Sequence, residues 1–302
     1  MTEQEQGRSK VNIWFSYLRA ILLIFGALLP SAHSFTISDI RISNHSSSSV
    51  TISWITSSVT DGTVNYGLTT ALGESVSDAR ADDDTHWIQI VGLAPETIYY
   101  FEVVSGGVTD DNGGYFYTFT TTKIGAGVSY LIYGKVLKQD GFTPADGAIV
   151  YVTVTHDSNE SYPLSSVTDS SGNWSVNLGN LKNPSTNDIL SYSAGDAIHL
   201  FAQGAADGTG VIEDSVSGES PQLIQPDVVL HPLLGDVSGD LSVTAFDAGL
   251  ILRYVIGDIQ LPDLSYPAFT KESADVSGDG TISAFDAALI LQYVVGFIDH
   301  FP

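Results

Sequence analysis

The feature that most constrains this chain is a duplication near its C-terminal end. Asp236-Val237-Ser238-Gly239-Asp240-Leu241-Ser242-Val243-Thr244-Ala245-Phe246-Asp247 recurs 39 residues later as Asp275-Val276-Ser277-Gly278-Asp279-Gly280-Thr281-Ile282-Ser283-Ala284-Phe285-Asp286. Aligning 235–259 with 274–298 gives 16 identities over 25 positions. That is more than a shared turn composition produces, so one unit has been copied. Each unit is a polar loop followed by an apolar stripe. Phe246, Leu250, Ile251, Tyr254 and Val255 in the first copy, and Phe285, Leu289, Ile290, Tyr293 and Val294 in the second, have the spacing of one helix face. Gly257 and Gly296 are placed to end the two helices.

The loops carry the chemistry. Numbering each from 1 to 12, side-chain oxygens stand at positions 1, 3, 5, 9 and 12, and a backbone carbonyl is available at position 7. The first set is Asp236, Ser238, Asp240, Ser242 through its carbonyl, Thr244 and Asp247. The second is Asp275, Ser277, Asp279, Thr281 through its carbonyl, Ser283 and Asp286. An oxygen-only set in this order suits a hard cation and predicts two calcium ions, one per loop. Position 12 is Asp where an ordinary EF-hand has the longer Glu, and no long amphipathic helix precedes position 1, so only the exiting helix is expected. Leu241 stands at position 6, where Gly eases the sharp turn, and predicts a reshaped first loop. Three carboxylates per loop imply weaker binding than four.

Loop plus exit helix, doubled at 233–302, resembles the type I dockerin, the module that joins proteins to the cohesin domains of scaffoldins. The resemblance implies a small three-helix fold of near two-fold symmetry, two calcium ions, and a cohesin domain as partner. It places partner contacts on loop positions 10 and 11 and the helix that follows: Ala245, Phe246, Leu252 and Arg253 in one copy, Ala284, Phe285, Leu291 and Gln292 in the other. The plainer alternative is a pair of calcium-stabilised loops with no partner.

The rest of the chain has room for further domains, since it has 302 residues, 43% of them hydrophobic. Residues 1–34 read as a secretory signal: Arg8, Lys10 and Arg19 precede the apolar run from Ala20 to Leu29, and Ala32-His33-Ser34 offers a small-residue cleavage site. The run of ten residues is short for a span, which needs about 20. A secreted chain with no membrane association after cleavage is therefore expected, an uncleaved anchor being the alternative. From residue 35 onward 8 Lys and Arg face 33 Asp and Glu, a charge of −25. Such a surface repels phosphate backbones and argues against nucleic acid as a partner. Cysteine is absent, so packing and cations must supply the stability that disulfides give many secreted domains.

Between 35 and 123 short alternating segments predict about seven strands and a β-sandwich, including Val50 to Trp54, Thr63 to Tyr66, Trp87 to Ile90, Tyr99 to Val103 and Tyr115 to Phe119. Trp54 alternates inward with Ile52. Trp87 precedes the inward Ile88 and should face outward, where it could stack on a sugar ring. Leu93-Ala94-Pro95-Glu96-Thr97-Ile98-Tyr99 together with Trp54 resembles the fibronectin type III module and its tyrosine corner. After a hinge at Lys123 to Gly127, a second β-rich unit fills 124–232. Its segments Tyr130 to Val136, Pro144 to Val152 and Thr168 to Leu178, with Trp174, Val176 and Leu178 facing inward, resemble the carboxypeptidase regulatory-like domain of transthyretin-type sandwich fold.

The resulting expectation is a multidomain chain: a signal at 1–34, two all-β sandwiches at 35–123 and 124–232, and a small all-α calcium-binding dockerin at 233–302. No catalytic motif stands out. His-Glu-x-x-His, Gly-x-Ser-x-Gly and phosphate-binding glycine loops are missing, and His45, His86, His156, His199, His231 and His300 are scattered. Asp82 to Asp84 and Asp110 to Asp111 read as solvated turns. The chain is thus read as a non-catalytic docking protein, by resemblance associated with glycosyl-hydrolase or cell-surface complexes, with polysaccharide left open as a ligand. Two alternatives stand beside it: a glycan-active enzyme using the central β domains, and a calcium-stabilised adhesion protein.

Overall fold

Alternating apolar and polar residues force the long first part of this chain into strands whose apolar faces must meet across a sandwich. The computed structural model describes residues 35–80, 82–239, 242–261 and 269–302. The basic and apolar segment read as a secretory signal, and Asp240 and Leu241 of the first loop, lie outside the described residues. Two β-sandwiches followed by a helical segment is the architecture that the sequence predicts, and among the described residues no helix is long and apolar enough to cross a membrane.

The first sandwich contains β1 (Ile37–Ser43), β2 (Ser49–Thr60), β3 (Thr63–Gly67), β4 (Glu74–Ser77), β5 (Asp83–Val91), β6 (Ile98–Ser105), β7 (Val108–Asp110) and β8 (Tyr117–Thr120). One sheet has the order β1-β2-β5. The other has β4-β3-β6, with β7 and β8 both pairing with β6. Val50, Ile52 and Trp54 of β2 and Ile88 and Ile90 of β5 meet Val64, Phe101, Val103 and Phe119 across the core. The indole of Trp54 is fully buried, and its Nε1 donates to Ser105 Oγ at 2.9 Å, so the one polar atom in that side chain is satisfied. Tyr99 Oη accepts the Ala94 N–H at 3.0 Å, which is the geometry of a tyrosine corner.

The second sandwich is built from β9 (Leu131–Leu137), β10 (Ile149–His156), β11 (Asn159–Glu160), β12 (Leu164–Val167), β13 (Asn173–Asn177), β14 (Ala197–Gln203), β15 (Thr209–Ser215), β16 (Gln222–Leu223) and β17 (Val228–Val229). Its larger sheet runs β11-β10-β14-β15, with β12 also on β10. The smaller runs β13-β9, with β16 and β17 pairing parallel to β9. Trp174, Val176 and Leu178 turn inward onto Ile132, Val150, Val152 and Leu200, as their alternation requires. The turn before β13 is closed by Asp169, whose Oδ1 accepts from the Ser171 and Asn173 N–H groups at 2.9 and 3.0 Å. Gly172 in that turn has φ +74°, and a Cβ there would stand 2.4 Å from the Val136 carbonyl oxygen, so only glycine fits.

The two sandwiches are clasped face to face. Arg41 of β1 lies over the rings of Tyr151 and Phe201, 5.0 and 4.5 Å from their centroids. Ser53 Oγ and Tyr151 Oη are 2.8 Å apart. Asn44 Nδ2 donates to the Ser165 carbonyl at 3.0 Å, while its Oδ1 accepts the Ser165 N–H at 2.8 Å. Thr85 Oγ1 donates to the Gly147 carbonyl at 2.7 Å. Thr51 and Ser53, which point away from their own sandwich core, are fully buried as a result.

The helical segment has its own core. It contains α1 (Ala245–Val255), the one-turn α2 (Lys271–Ala274) and α3 (Ala284–Val294). Ala248, Leu250 and Ile251 of α1 pack with Ala287, Leu289 and Ile290 of α3, and Val237 and Val276 fill in from the loops. Gly257 at φ +78° and Gly296 at φ +74° end the long helices as expected, their N–H groups donating to the Tyr254 and Tyr293 carbonyls. The predicted stripes are narrower than their spacing implies. Val255 and Val294 are exposed at 43% and 41%, because each helix is covered along one side only.

His45 makes the fold sensitive to acid. It is 6% exposed, stacked on Tyr162 at 3.9 Å between ring centroids, with Nδ1 3.3 Å from the Thr120 carbonyl oxygen. Burial lowers its pKa from 6.5 to about 4, against the smaller opposing effect of the Thr120 bond. The unfolded chain therefore takes up a proton in a range where the folded chain does not. The contribution is fully present above pH 6.5 and is lost as pH falls towards 4, by up to about 3 kcal/mol. Urea denaturation between pH 7 and pH 4.5 should show a clearly smaller loss of stability for His45→Asn than for the unmodified chain. Equal slopes would assign the acid sensitivity to other groups.

Candidate functional site

In their described residues the two copied loops share one hydrogen-bond pattern around positions 3, 9 and 12, and the residue that organises each is the aspartate at position 12. Asp247 Oδ1 accepts the Ser238 N–H at 2.9 Å, and its Oδ2 accepts from Thr244 N and Thr244 Oγ1 at 2.8 and 2.9 Å. In the second loop Asp286 Oδ1 accepts the Ser277 N–H at 3.0 Å, and its Oδ2 accepts from Ser283 N and Ser283 Oγ at 2.8 and 3.1 Å. Thr244 and Ser283 are the N-caps of α1 and α3, accepting from the Phe246 and Phe285 N–H groups, so position 12 and the cap form a capping box in both copies. Ser238 and Ser277 also donate through Oγ to Asp236 and Asp275 at 3.1 and 3.2 Å, joining positions 1, 3 and 12.

The donors are oxygen throughout, and several are buried. Asp247 and Asp286 are fully buried and Asp236 is 3% exposed. Among the described residues Asp247, Asp275, Asp279 and Asp286 form no ion pair with Lys, Arg or His. Burial by itself would raise the pKa of Asp286, but the hydrogen bonds from Ser277 and Ser283 outweigh it and the net shift is downward. A buried carboxylate held in its charged form, met by N–H and O–H donors, is the chemistry into which a hard cation fits. The donors are in the right order without being gathered. Asp279 Oδ1 accepts from Thr281 N and Oγ1 at 2.8 and 2.6 Å, turned towards position 7. Among the described residues no three acidic or histidine side chains converge on one point. Ser242 and Thr281 are exposed at the loop rims. Gly280 at position 6 has φ +88° and donates its N–H to Asp275 Oδ2 at 2.8 Å, a conformation that glycine reaches without strain. Its counterpart Leu241, and Asp240, lie outside the described residues.

The partner positions implied by the resemblance differ between copies. Ala245 and Ala284 are both exposed. Phe246 is half-buried against the helical core, whereas Phe285 is 56% exposed. Leu252 is half-buried and Leu291 is 41% exposed. Arg253 Nε donates to Asp258 Oδ2 at 2.7 Å, and Gln292 is half-buried. Val295 and Phe297, after the second long helix, are exposed as well. The chain end also closes onto the loop region: Phe301 packs on Tyr293 with 5.1 Å between ring centroids, and a Cβ on Gly235 would stand 3.0 Å from the Phe301 ring.

Two acidic readings change. Asp83 and Asp84, expected in a solvated turn, begin β5. Asp84 is pushed up to about 7 by burial first and then by the neighbouring Asp83. Asp83 Oδ2 lies where a Cβ on Gly147 would be 2.9 Å away, so this pair sits against the second sandwich. Sequence reasoning missed that contact because Gly147 is remote in the chain.

Residues 234–295 match the family described as the Dockerin type I domain, and residues 37–122 match the Purple acid Phosphatase, N-terminal domain. The second match covers the first sandwich, for which the sequence had pointed to the fibronectin type III module. Among curated proteins none matches the chain. A solved complex of the third cohesin of ScaC with the ScaB dockerin from Acetivibrio cellulolyticus is similar at 43% identity, covering 23% of this chain and 92% of that chain, with a TM-score of 0.21. A complex of the sixth cohesin of scaffoldin B of Acetivibrio cellulolyticus with the Cel5 dockerin shares 33% identity over 23% of this chain and 98% of that chain, with a TM-score of 0.20. The central fibronectin-III array of RIM-binding protein is 16% identical over 67% of this chain and 65% of that chain, with a TM-score of 0.23. The match over 234–295, together with the 43% identity over 92% of the ScaB dockerin complex chain, gives the C-terminal segment of this chain as a dockerin type I domain.

Proposed function

We propose that this chain is a secreted, non-catalytic, modular protein that docks through its C-terminal segment onto a cohesin domain, with one calcium ion in each copied loop. The observation that supports it most is the repetition of one hydrogen-bonded loop, buried aspartate and capped helix in both copies, within a segment that matches the dockerin family. The cohesin complexes of similar dockerins make a cohesin the natural partner class. Asp236, Ser238, Asp240, Ser242, Thr244 and Asp247 would hold one ion, and Asp275, Ser277, Asp279, Thr281, Ser283 and Asp286 the other. The ion would supply positive charge to the loop carboxylates; the chain's own part is to fix positions 1, 3 and 12 through Ser238 and Ser277, and to bring Asp279 round from Thr281. The boundaries 35–123, 124–232 and 233–302, the fibronectin type III and carboxypeptidase regulatory-like readings of the sandwiches, and a setting in a polysaccharide-degrading or cell-surface complex belong to the same proposal. The match to a phosphatase family is to its N-terminal domain and brings no phosphatase chemistry to this chain.

Chelation tests the loops directly. Removing calcium should lower the helical signal in circular dichroism and the melting temperature of the helical segment, since each site saturated 100-fold above its Kd adds about 2.7 kcal/mol. An unchanged helical signal and melting temperature would remove calcium from the proposal.

Docking is tested by titrating the full chain with a purified cohesin. Phe285 is the more exposed of the paired residues, so Phe285→Asp should remain folded with calcium and bind at least about tenfold more weakly. Phe246→Asp puts a charge against the helical core and should destabilise the segment by several kcal/mol instead. Wild-type cohesin affinity in a folded Phe285→Asp variant would exclude this surface.

A further inference from the structure

A cleft of about 880 Å³ opens beside the clasp between the two sandwiches, within the size range of small-molecule sites. One wall is the outward face of β5, with Trp87 and Gln89, and the segment from Ser77 to Arg80. The other is formed by β12, by Ser175 and Asn177 of β13, and by Asn180 and Lys182. Trp87 faces outward as its place before Ile88 requires, yet it does not stand free in solvent: its Nε1 donates to Ser165 Oγ of the second sandwich at 2.8 Å. With its N–H engaged, the indole lines the cleft with the carbon part of a ring tethered across the clasp.

The cationic side chains in the cleft are engaged by acceptors of the protein itself, except that Arg80 Nη1 is buried without a hydrogen-bond partner, 3.7 Å from Asp83 Oδ2. Arg80 donates through Nε and Nη2 to Asp78 Oδ1 and Oδ2 at 3.2 and 2.9 Å, and Lys182, 4% exposed, donates through Nζ to the Gly125 carbonyl at 2.9 Å. By contrast, the side chains of Gln89, Ser175 and Asn180 make no hydrogen bond among the described residues, and all three are exposed. The cleft thus combines one tethered aromatic ring with neutral amide and hydroxyl groups that can both donate and accept. A ligand fitting this must have an apolar ring face and a rim of hydroxyls. An anionic polymer is disfavoured by a chain of net charge −24.

We infer that this cleft is a binding site for a neutral saccharide chain, with Trp87 stacking on one sugar ring and Gln89, Ser175 and Asn180 bonding its hydroxyls. The site is independent of docking, because no residue of the copied loops lines it. It also gives the clasp a role beyond holding the sandwiches together, since neither sandwich alone has both walls.

The experiment is isothermal titration of the full chain with the hexasaccharides of β-1,4-glucan, β-1,4-xylan and β-1,4-mannan, and with a neutral Gly-Ser hexapeptide. Of the other three tryptophans, Trp54 and Trp174 are buried and Trp14 lies in the segment read as a secretory signal, so a change in tryptophan fluorescence on titration should vanish in Trp87→Phe. At least one saccharide should bind with one-to-one stoichiometry, equally well with and without chelator. Trp87→Ala should weaken it about tenfold, and Asn180→Ala about threefold. Because Trp87→Ala removes a bond across the clasp, Ser175→Trp is the second variant: it fills the cleft from an exposed position and should abolish binding at an unchanged melting temperature. The inference is overturned if none of the three saccharides binds, if the peptide binds in their place, or if Ser175→Trp binds like the unmodified chain.

Discussion

A carboxylate with no exposed surface is unstable unless every oxygen is met, and the helical segment is arranged around two of them. Asp247 and Asp286 each tie three things together: the loop backbone at position 3, the helix cap at position 9, and their own place in the first turn of the helix. This fixes the direction in which each helix leaves its loop. The core of Leu250, Ile251, Leu289 and Ile290 forms only if both directions are right, so packing in this segment follows from polar geometry rather than the reverse. The negative charge also sits at the helix N-terminus, where the backbone dipole favours it.

The same dependence on satisfied polar atoms appears between the sandwiches. Each sandwich has an apolar core of its own, but the face they share combines serine, threonine, asparagine and one arginine with the rings of Trp87, Tyr151 and Phe201. Thr51, Ser53 and Ser165 would be ordinary exposed positions in an isolated domain. Here they are buried, and Ser165 alone bonds to Ser43, Asn44 and Trp87. An interface of this kind sets orientation more strictly than an apolar one, because a shift of about an ångström breaks several bonds at once. It can therefore hold an open cleft at its edge without collapsing into it.

What the sequence disclosed and what it hid follow from how far apart the relevant residues are. The loops, the helix-ending Gly257 and Gly296, the inward Trp54 and Trp174 and the corner at Tyr99 are local patterns, legible within a dozen residues. The clasp is not: Trp87 and Ser165 are 78 positions apart, and nothing in either neighbourhood marks them as partners. Likewise Phe246 and Phe285 are the same residue at the same loop position, yet one packs against the core and the other is open. Near-identical sequence predicts equal exposure, and tertiary neighbours remove it. Asp83 and Asp84 mislead in the opposite way, because acidic runs favour turns unless a strand pairing and a second domain claim them.

The asymmetry between the copies bears on how the segment presents itself. Phe285, Leu291, Val295 and Phe297 leave apolar side chains exposed in the C-terminal segment of a strongly acidic chain. Charge repulsion between copies of the chain opposes association through them in solution. A partner with a less acidic, apolar face meets no such barrier and gains from covering them. The high negative charge and the exposed phenylalanines thus act together, the first discouraging self-association and the second leaving surface that only a complementary partner can bury.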